Sequence, residues 1–307
     1  MIKLGWIFPG QASQYVGMGK DLYESTALGK SYFKLANDIL GCDLKTIIFD
    51  GPEEILKRTE YTQPAIFLIS SILSKLLQEK MGDPVVSAGH SLGEYSALLT
   101  ANAFSFEEGM QLVKARSSAM KEACEKTKGT MAAIIGFDIL KLQKLCSEYK
   151  GSGKVVIANY NSPNQIIISG SIKAVRSILE KSKFLGAKLT KEINVGGAFH
   201  SPLMKVATES LAEKVNSIQI SNLNYPVISN FDGKPNKESS KIKYSLVKQI
   251  ENPVLWYQSI KEMSTFKLDK FIEVGPGNVL QGLNKRIVRD IPCIGVSNLS
   301  DLTSLNV

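Results

Sequence analysis

At 307 residues, 44% hydrophobic and 21% charged, the chain has the make-up of one large globular domain, or of a large domain with a smaller one inserted. Its apolar runs fall short of the ~20 residues a bilayer crossing needs, and its four scattered cysteines form no C-x-x-C pair, so a membrane anchor, a zinc site and a disulfide framework are not expected and a reducing cytoplasm fits. The net charge of +8 is spread along the chain without an aromatic-plus-basic module for nucleic acid, and an acidic protein partner or a phosphorylated cofactor explains the sign equally well.

In chain order, KLGWIFP (residues 3–9) predicts a buried strand entering a loop, too short in its apolar part for a signal peptide. QPAIFLISSILSKLLQEKM (63–81) predicts a helix, PVVSA (84–88) a strand, and SFEEGMQLVKARSSAMKEACEK (105–126) another helix. Such alternation predicts a parallel sheet covered by helices. From 129 to 193 the rhythm changes to β-α-β-β-α-β: TMAAIIGF, DILKLQKLCSEYK, KVVIANY, QIIISG, IKAVRSILEKSKFLG and AKLTKEIN, with SPN as the central turn. That order is the plan of a ferredoxin-like subdomain, placed at 127–193 inside a large α/β domain made of 1–126 and 194–307. Beyond it lie the strand candidate YPVISN (225–230), a lysine-rich stretch near 234–248, NPVLWYQSIKEM (252–263), and KFIEVGPGNVLQGLNKRI (270–287), which closes the core.

Between the strand PVVSA and its following helix stands GHSLGEY (89–95). G-x-S-x-G at a strand-to-helix turn is the nucleophile-elbow pattern, in which a sharp turn lifts the Ser91 hydroxyl out of the sheet. Read blandly, the same residues are a glycine-rich loop whose serine caps the helix. A serine needs a positioned base, usually histidine, and this chain has only two, His90 and His200. His90 adjoins Ser91 on the elbow, where neighbouring side chains diverge, so His200 in GGAFHSPLM is the candidate by elimination. A lysine base, or two purely structural histidines, are the alternatives. Neither flank offers an obvious aspartate, so a Ser-His dyad oriented by something other than a carboxylate is expected.

The segments FPGQASQYVGMG (8–19), TQPAIF (62–67), GHSLGEYSAL, VGGAFHSPLM, QIENPVLW (249–256) and EVGPGNVL (273–280) occur in this order over essentially the whole chain. Together they resemble the malonyl-CoA:acyl carrier protein transacylases, acyltransferases that load malonyl units for fatty-acid synthesis. The resemblance implies an α/β-hydrolase-like large domain with a ferredoxin-like small one. It also implies a ping-pong reaction in which Ser91 takes the malonyl group from malonyl-CoA and the phosphopantetheine thiol of an acidic carrier protein removes it. CoA is then a cosubstrate, and no metal or tightly bound cofactor is implied.

Carried over residue by residue, the resemblance makes Ser91 the nucleophile and His200 its base, with the backbone N–H groups of Leu92 and Gln11 as the oxyanion donors. It places a histidine-orienting backbone carbonyl at Gln249 and a pocket glutamine at Gln63, which read blandly is a polar residue opening a helix before Pro64. On a helical wheel, Arg116 lies about 80° from the centre of the stripe formed by Phe106, Met110, Val113, Met120 and Cys124, at the stripe's edge. From the wheel alone it is a solvated flank residue. The resemblance instead has it grip the substrate's free carboxylate, through a fork of hydrogen bonds that lysine cannot supply. Phe199, in AFHS, matches the form associated with malonyl rather than methylmalonyl selection. The rivals are a serine thioesterase or esterase, which shares the dyad but deacylates with water, an acyltransferase of other acyl-CoA specificity, and a non-catalytic scaffold.

Overall fold

The computed structural model describes residues 2–305. Ten strands form two sheets: β1 (Leu4–Phe8), β2 (Val86–Gly89), β3 (Gly129–Ile135), β4 (Val155–Ser162), β5 (Gln165–Ser171), β6 (Leu189–Ile193), β7 (Val227–Ile228), β8 (Pro235–Asn236), β9 (Lys270–Val274) and β10 (Cys293–Val296). The larger sheet has the order β10-β9-β1-β2-β7-β8. Its strands are parallel except β8, which pairs antiparallel with β7, so the expected parallel sheet is a mixed one.

β1 shows why this sheet sits at the centre. All five of its residues are buried, and successive side chains of a strand point to opposite faces. Leu4, Trp6 and Phe8 join one apolar cluster with Phe67, Ile69 and Leu73 of the Thr59–Met81 helix. Ile7 joins another with Trp256, Ile260 and Leu283 on the opposite face. A strand covered on both faces reads as a continuous apolar run.

The helix Phe106–Lys126 opens with a capping box, Ser105 and Glu108 bonding each other's backbone, which satisfies two otherwise orphaned donors. The helix carrying Gln63 starts at Thr59, ahead of the expected start at Gln63, so Pro64 lies inside it. Two elements follow the point at which the sequence reading closes the core: the edge strand β10 and the short helix Leu299–Ser304.

The second sheet is antiparallel throughout, in the order β4-β5-β3-β6. Its helices Ile139–Ser147 and Ile172–Phe184 contribute Leu142, Ala174, Val175 and Ile178 to a separate core with Ile134, Ile157, Ile166 and Ile168. The two sheets are stitched at the β4 edge, where Val254 accepts from the Tyr160 N–H at 3.0 Å and donates to the Ala158 carbonyl at 2.8 Å. No helix among the described residues is long and apolar enough to cross a membrane.

Candidate active site

The carboxyl ends of β1, β2 and β7 converge on one point. β2 ends at Gly89, and the helix Gly93–Thr100 begins four residues later. The turn between them is so tight that a Cβ at Gly89 would lie 1.8 Å from the carbonyl carbon of Gly93, and one at Gly93 would lie 2.1 Å from the Phe8 carbonyl oxygen. Only glycine fits at either position. Ser91, between them, has φ 53°, the left-handed region that L-residues occupy at a cost. The Asn230 side chain holds the turn by accepting from the Ser91 N–H and donating to the Gly89 carbonyl, both at 2.7 Å.

His200 approaches from the loop after β6 and also has positive φ, 55°. Its Nε2 lies 2.8 Å from Ser91 Oγ and its Nδ1 lies 2.9 Å from the Gln249 carbonyl oxygen. A carbonyl can only accept, so Nδ1 carries the proton and Nε2 is left to accept from the serine hydroxyl. Burial, and after it the charge of Arg116, pushes His200 down to about 3, so the ring is neutral at pH 7. His90 turns away from the hydroxyl, its Nε2 2.9 Å from Asn161 Oδ1 on β4 and its ring beside Trp256.

Arg116 is the departure from the wheel. It is fully buried, not at a solvent edge, and burial lowers its pKa. It lies behind Ser91: Nη2 donates to Ser91 Oγ and to Gln249 Oε1, each at 3.0 Å, and Nη1 donates to Gln63 Oε1. Its Nε has no acceptor among the described residues. Gln63, also fully buried, donates in turn to Thr59 Oγ1 at 2.7 Å and to Gln11 Oε1 at 3.3 Å. The structure thus brings Ser91, His200, Gln249, Arg116 and Gln63 into one connected network, with Gln11 at its rim. Among the described residues, the N–H groups of Gln11 and Leu92 donate to no backbone carbonyl in the turns and loops around the site.

A cleft of about 1190 Å³ opens over Ser91 and His200, lined by Gln11, Phe199, Lys121 and Arg286, with the antiparallel sheet as its far wall. Phe199 is nearly buried there. Glu94 and Asn230 are site residues that the sequence reading did not single out. Glu94 Oε2 accepts from Gln249 Nε2 at 2.6 Å and from the Asn230 N–H at 3.1 Å. Its one signal is an acid inside the apolar run LGEYSALL, where a charge has no surface reason to be. Among the described residues, no group of three His, Cys, Asp or Glu side chains is placed to hold a metal.

The model of the acyl transferase domain matches residues 5–305. The chain belongs to the acyl transferase domain family. A malonyl CoA-acyl carrier protein transacylase from Bacillus subtilis (strain 168) is 40% identical over 97% of this chain and 94% of its own. The crystal structure of an acyl carrier protein S-malonyltransferase from Vibrio cholerae matches this acyl transferase with a TM-score of 0.95 and 37% identity, over 99% of this chain and 100% of the other. A malonyl-transacylase solved in complex with its type II PKS acyl-carrier protein gives a TM-score of 0.94 and 36% identity over 98% of both chains.

Proposed function

We propose that this acyl transferase moves the malonyl group from malonyl-CoA to the phosphopantetheine thiol of an acyl carrier protein, in the cytoplasm, for fatty-acid synthesis. The observation that carries the reading is the chain of contacts Arg116–Ser91–His200–Gln249, which joins a buried guanidinium to an activated hydroxyl. The names of the relatives support the substrate and the partner.

The mechanism is ping-pong. Ser91 Oγ attacks the thioester carbon as His200 Nε2 takes its proton. The oxyanion is held by the Leu92 and Gln11 N–H groups. Collapse expels the CoA sulfur, which leaves with the proton from His200. In the second half the carrier thiol gives its proton to His200 and attacks the Ser91 ester; collapse breaks the bond to Ser91 Oγ, which takes the proton back from His200 Nε2, and the malonyl group departs on the carrier. Arg116 turns from Ser91 Oγ to the malonyl carboxylate, for which its unpaired Nε and both Nη groups offer donors. Phe199, in the cleft wall, restricts a branching methyl. CoA enters as a cosubstrate and no tightly bound cofactor takes part.

The order β-α-β-β-α-β with sheet order β4-β5-β3-β6 supports a ferredoxin-like subdomain at 127–193. The strand–elbow–helix at Ser91 supports an α/β-hydrolase-like domain formed by 1–126 and 194–307.

Radiolabelled malonyl-CoA, mixed with the protein and then with carrier protein, tests the whole reading. Label should appear on Ser91 and then on the carrier thiol. Release of free malonate at the same rate with or without carrier would instead make the protein a thioesterase, and no label on Ser91 would rule out both.

A further inference from the structure

Arg116 is a fully buried cation that no carboxylate touches. The salt bridges among the described residues lie elsewhere, with at least one partner of each exposed. The Arg116 guanidinium ends on neutral oxygens: Gln63 Oε1, Ser91 Oγ and Gln249 Oε1. A charge removed from water needs compensation within reach. Gln249 supplies the path. The amide that accepts from Arg116 through Oε1 donates through Nε2 to Glu94 Oε2 at 2.6 Å. Glu94 is itself buried and has no part in the chemistry above. Arg116 and Glu94 are the two ends of an ion pair with one amide between them.

We propose that Glu94 is the resting counter-charge of Arg116, and that it gives up this role by taking a proton from solvent when a substrate carboxylate settles on the guanidinium. The inference rests on the malonyl reading of Arg116. Once the incoming carboxylate pairs directly with the arginine, the pocket holds two anions for one cation. The other groups that bear on Glu94 are Asp232, on the turn beyond β7, which disfavours its charge, and Tyr95, next to it on its own helix. Arg116 is the cation that favours the charged form. With that cation engaged elsewhere, ionised Glu94 is the species the pocket holds least well. Burial already lifts its carboxyl to about 7, so a proton is available at neutral pH. An acetyl group brings no carboxylate and leaves the resting pair intact. Glu94 acts through Gln249 and Arg116 and is a positioning residue: it keeps the empty pocket neutral without competing for the guanidinium by direct contact.

Acylation passes the Ser91 proton through His200 to the departing CoA sulfur, so the chemistry consumes no solvent proton and any uptake belongs to the pocket. The test is a single turnover without carrier protein, in weak buffer near pH 7 with an indicator dye, using malonyl-CoA or acetyl-CoA, with the acylated fraction read by mass spectrometry. Malonylation should draw more protons per acylated serine than acetylation, and the infrared difference spectrum should gain a protonated-carboxyl band. In Glu94→Gln both the excess uptake and the band should vanish. Equal uptake for the two acyl groups in the wild type overturns the proposal without any variant, as does an excess that persists in Glu94→Gln, which would place the proton on His200. The malonyl reading fails separately, if Arg116→Ala leaves the malonyl-to-acetyl ratio unchanged.

Discussion

The two sheets of this acyl transferase are built to opposite rules. Around the carboxyl ends of β1, β2 and β7 the interior is crowded with polar groups: Gln63, Glu94, Arg116, His200, Asn230 and Gln249 are all buried and bonded to one another. The antiparallel sheet and its helices instead pack an aliphatic cluster of Ile, Val, Leu and Ala, and the polar side chains they bury, among them Thr130, Asn159, Asn161, Ser162, Ser169 and Ser182, are short and uncharged. Aliphatic packing stabilises without specifying chemistry, whereas buried polar groups are costly unless fully bonded and hold side chains in one arrangement. One sheet therefore carries the reaction and the other supplies a wall, and substitutions should separate the two.

The sharpest separation is His200→Ala. Removing the base should lower acyl transfer by about 10³-fold or more, as losing one member of a cooperating set does, with thermal stability little changed. Stopped-flow acylation by malonyl-CoA checks it, and a loss no larger than that of His90→Ala would move the base elsewhere.

Arg116→Ala comes next. Losing a buried charged partner costs about 2–5 kcal/mol, or roughly thirtyfold to several thousandfold at about 1.4 kcal/mol per decade. Because Arg116 also donates to Ser91 Oγ, acetyl transfer falls too. The ratio of malonyl to acetyl transfer is the measurement, and Arg116→Lys should restore little of it.

In the aliphatic sheet, Ile168→Ala should cost about 2–5 kcal/mol of stability through the cavity it leaves. Denaturant unfolding reads that loss, while turnover per folded molecule stays within about twofold. A selective loss of turnover would show the wall to be part of the machinery.

The smallest effect is in the acid range. Both histidines have pKa values held below the ordinary 6.5, His200 at about 3. The unfolded chain binds those protons first, so stability falls as pH drops below 6.5, with His200 contributing about 1.4 kcal/mol per pH unit and His90 adding in the same direction. Glu94 has the opposite sign: raised from 4.5 to about 7, it loses stability as pH rises through that window. It therefore offsets part of the histidine slope between 4.5 and 6.5, and Glu94→Gln should steepen it. Unfolding free energies at stepped pH give both slopes. The antiparallel sheet has no histidine, so amide protection at Ile166–Ile168 should show no histidine step of its own, and its own acid sensitivity should come from Glu192 on β6, whose carboxyl the Arg176 hydrogen bond holds low.

What could be read from the sequence follows the range of the forces involved. The elbow was legible because much of its requirement is local: Gly89 is set by sterics within five residues, against Gly93 and Glu94, although Gly93 answers to the Phe8 carbonyl of β1. The short apolar runs of β3, β4 and β5 were legible for the same reason. β7 and β8 have two residues each, too few for any periodicity, and β10 is a four-residue edge. Arg116 looked like a flank residue because a helical wheel knows only its own helix, and what buries this one are Gln63, Ser91 and Gln249 from three other elements. Glu94, Asn230 and Gln249 meet across 136 to 155 residues of chain. Short-range pattern carries no trace of such polar contacts, and a family resemblance supplied only the Gln249 carbonyl.

The backbone stitch at Val254 gives the molecule a mechanical property. Gln249, whose carbonyl steers the His200 ring, and Val254, whose N–H and C=O are fastened to β4, stand at the two ends of one six-residue segment. That segment works as a strap between the far wall of the cleft and the imidazole. A load that shifts β4 pulls on Val254 and travels along the strap to the oxygen that sets the pitch of the ring. The base is thus tied through six residues of backbone to a strand whose own helices lie on the far side of the cleft.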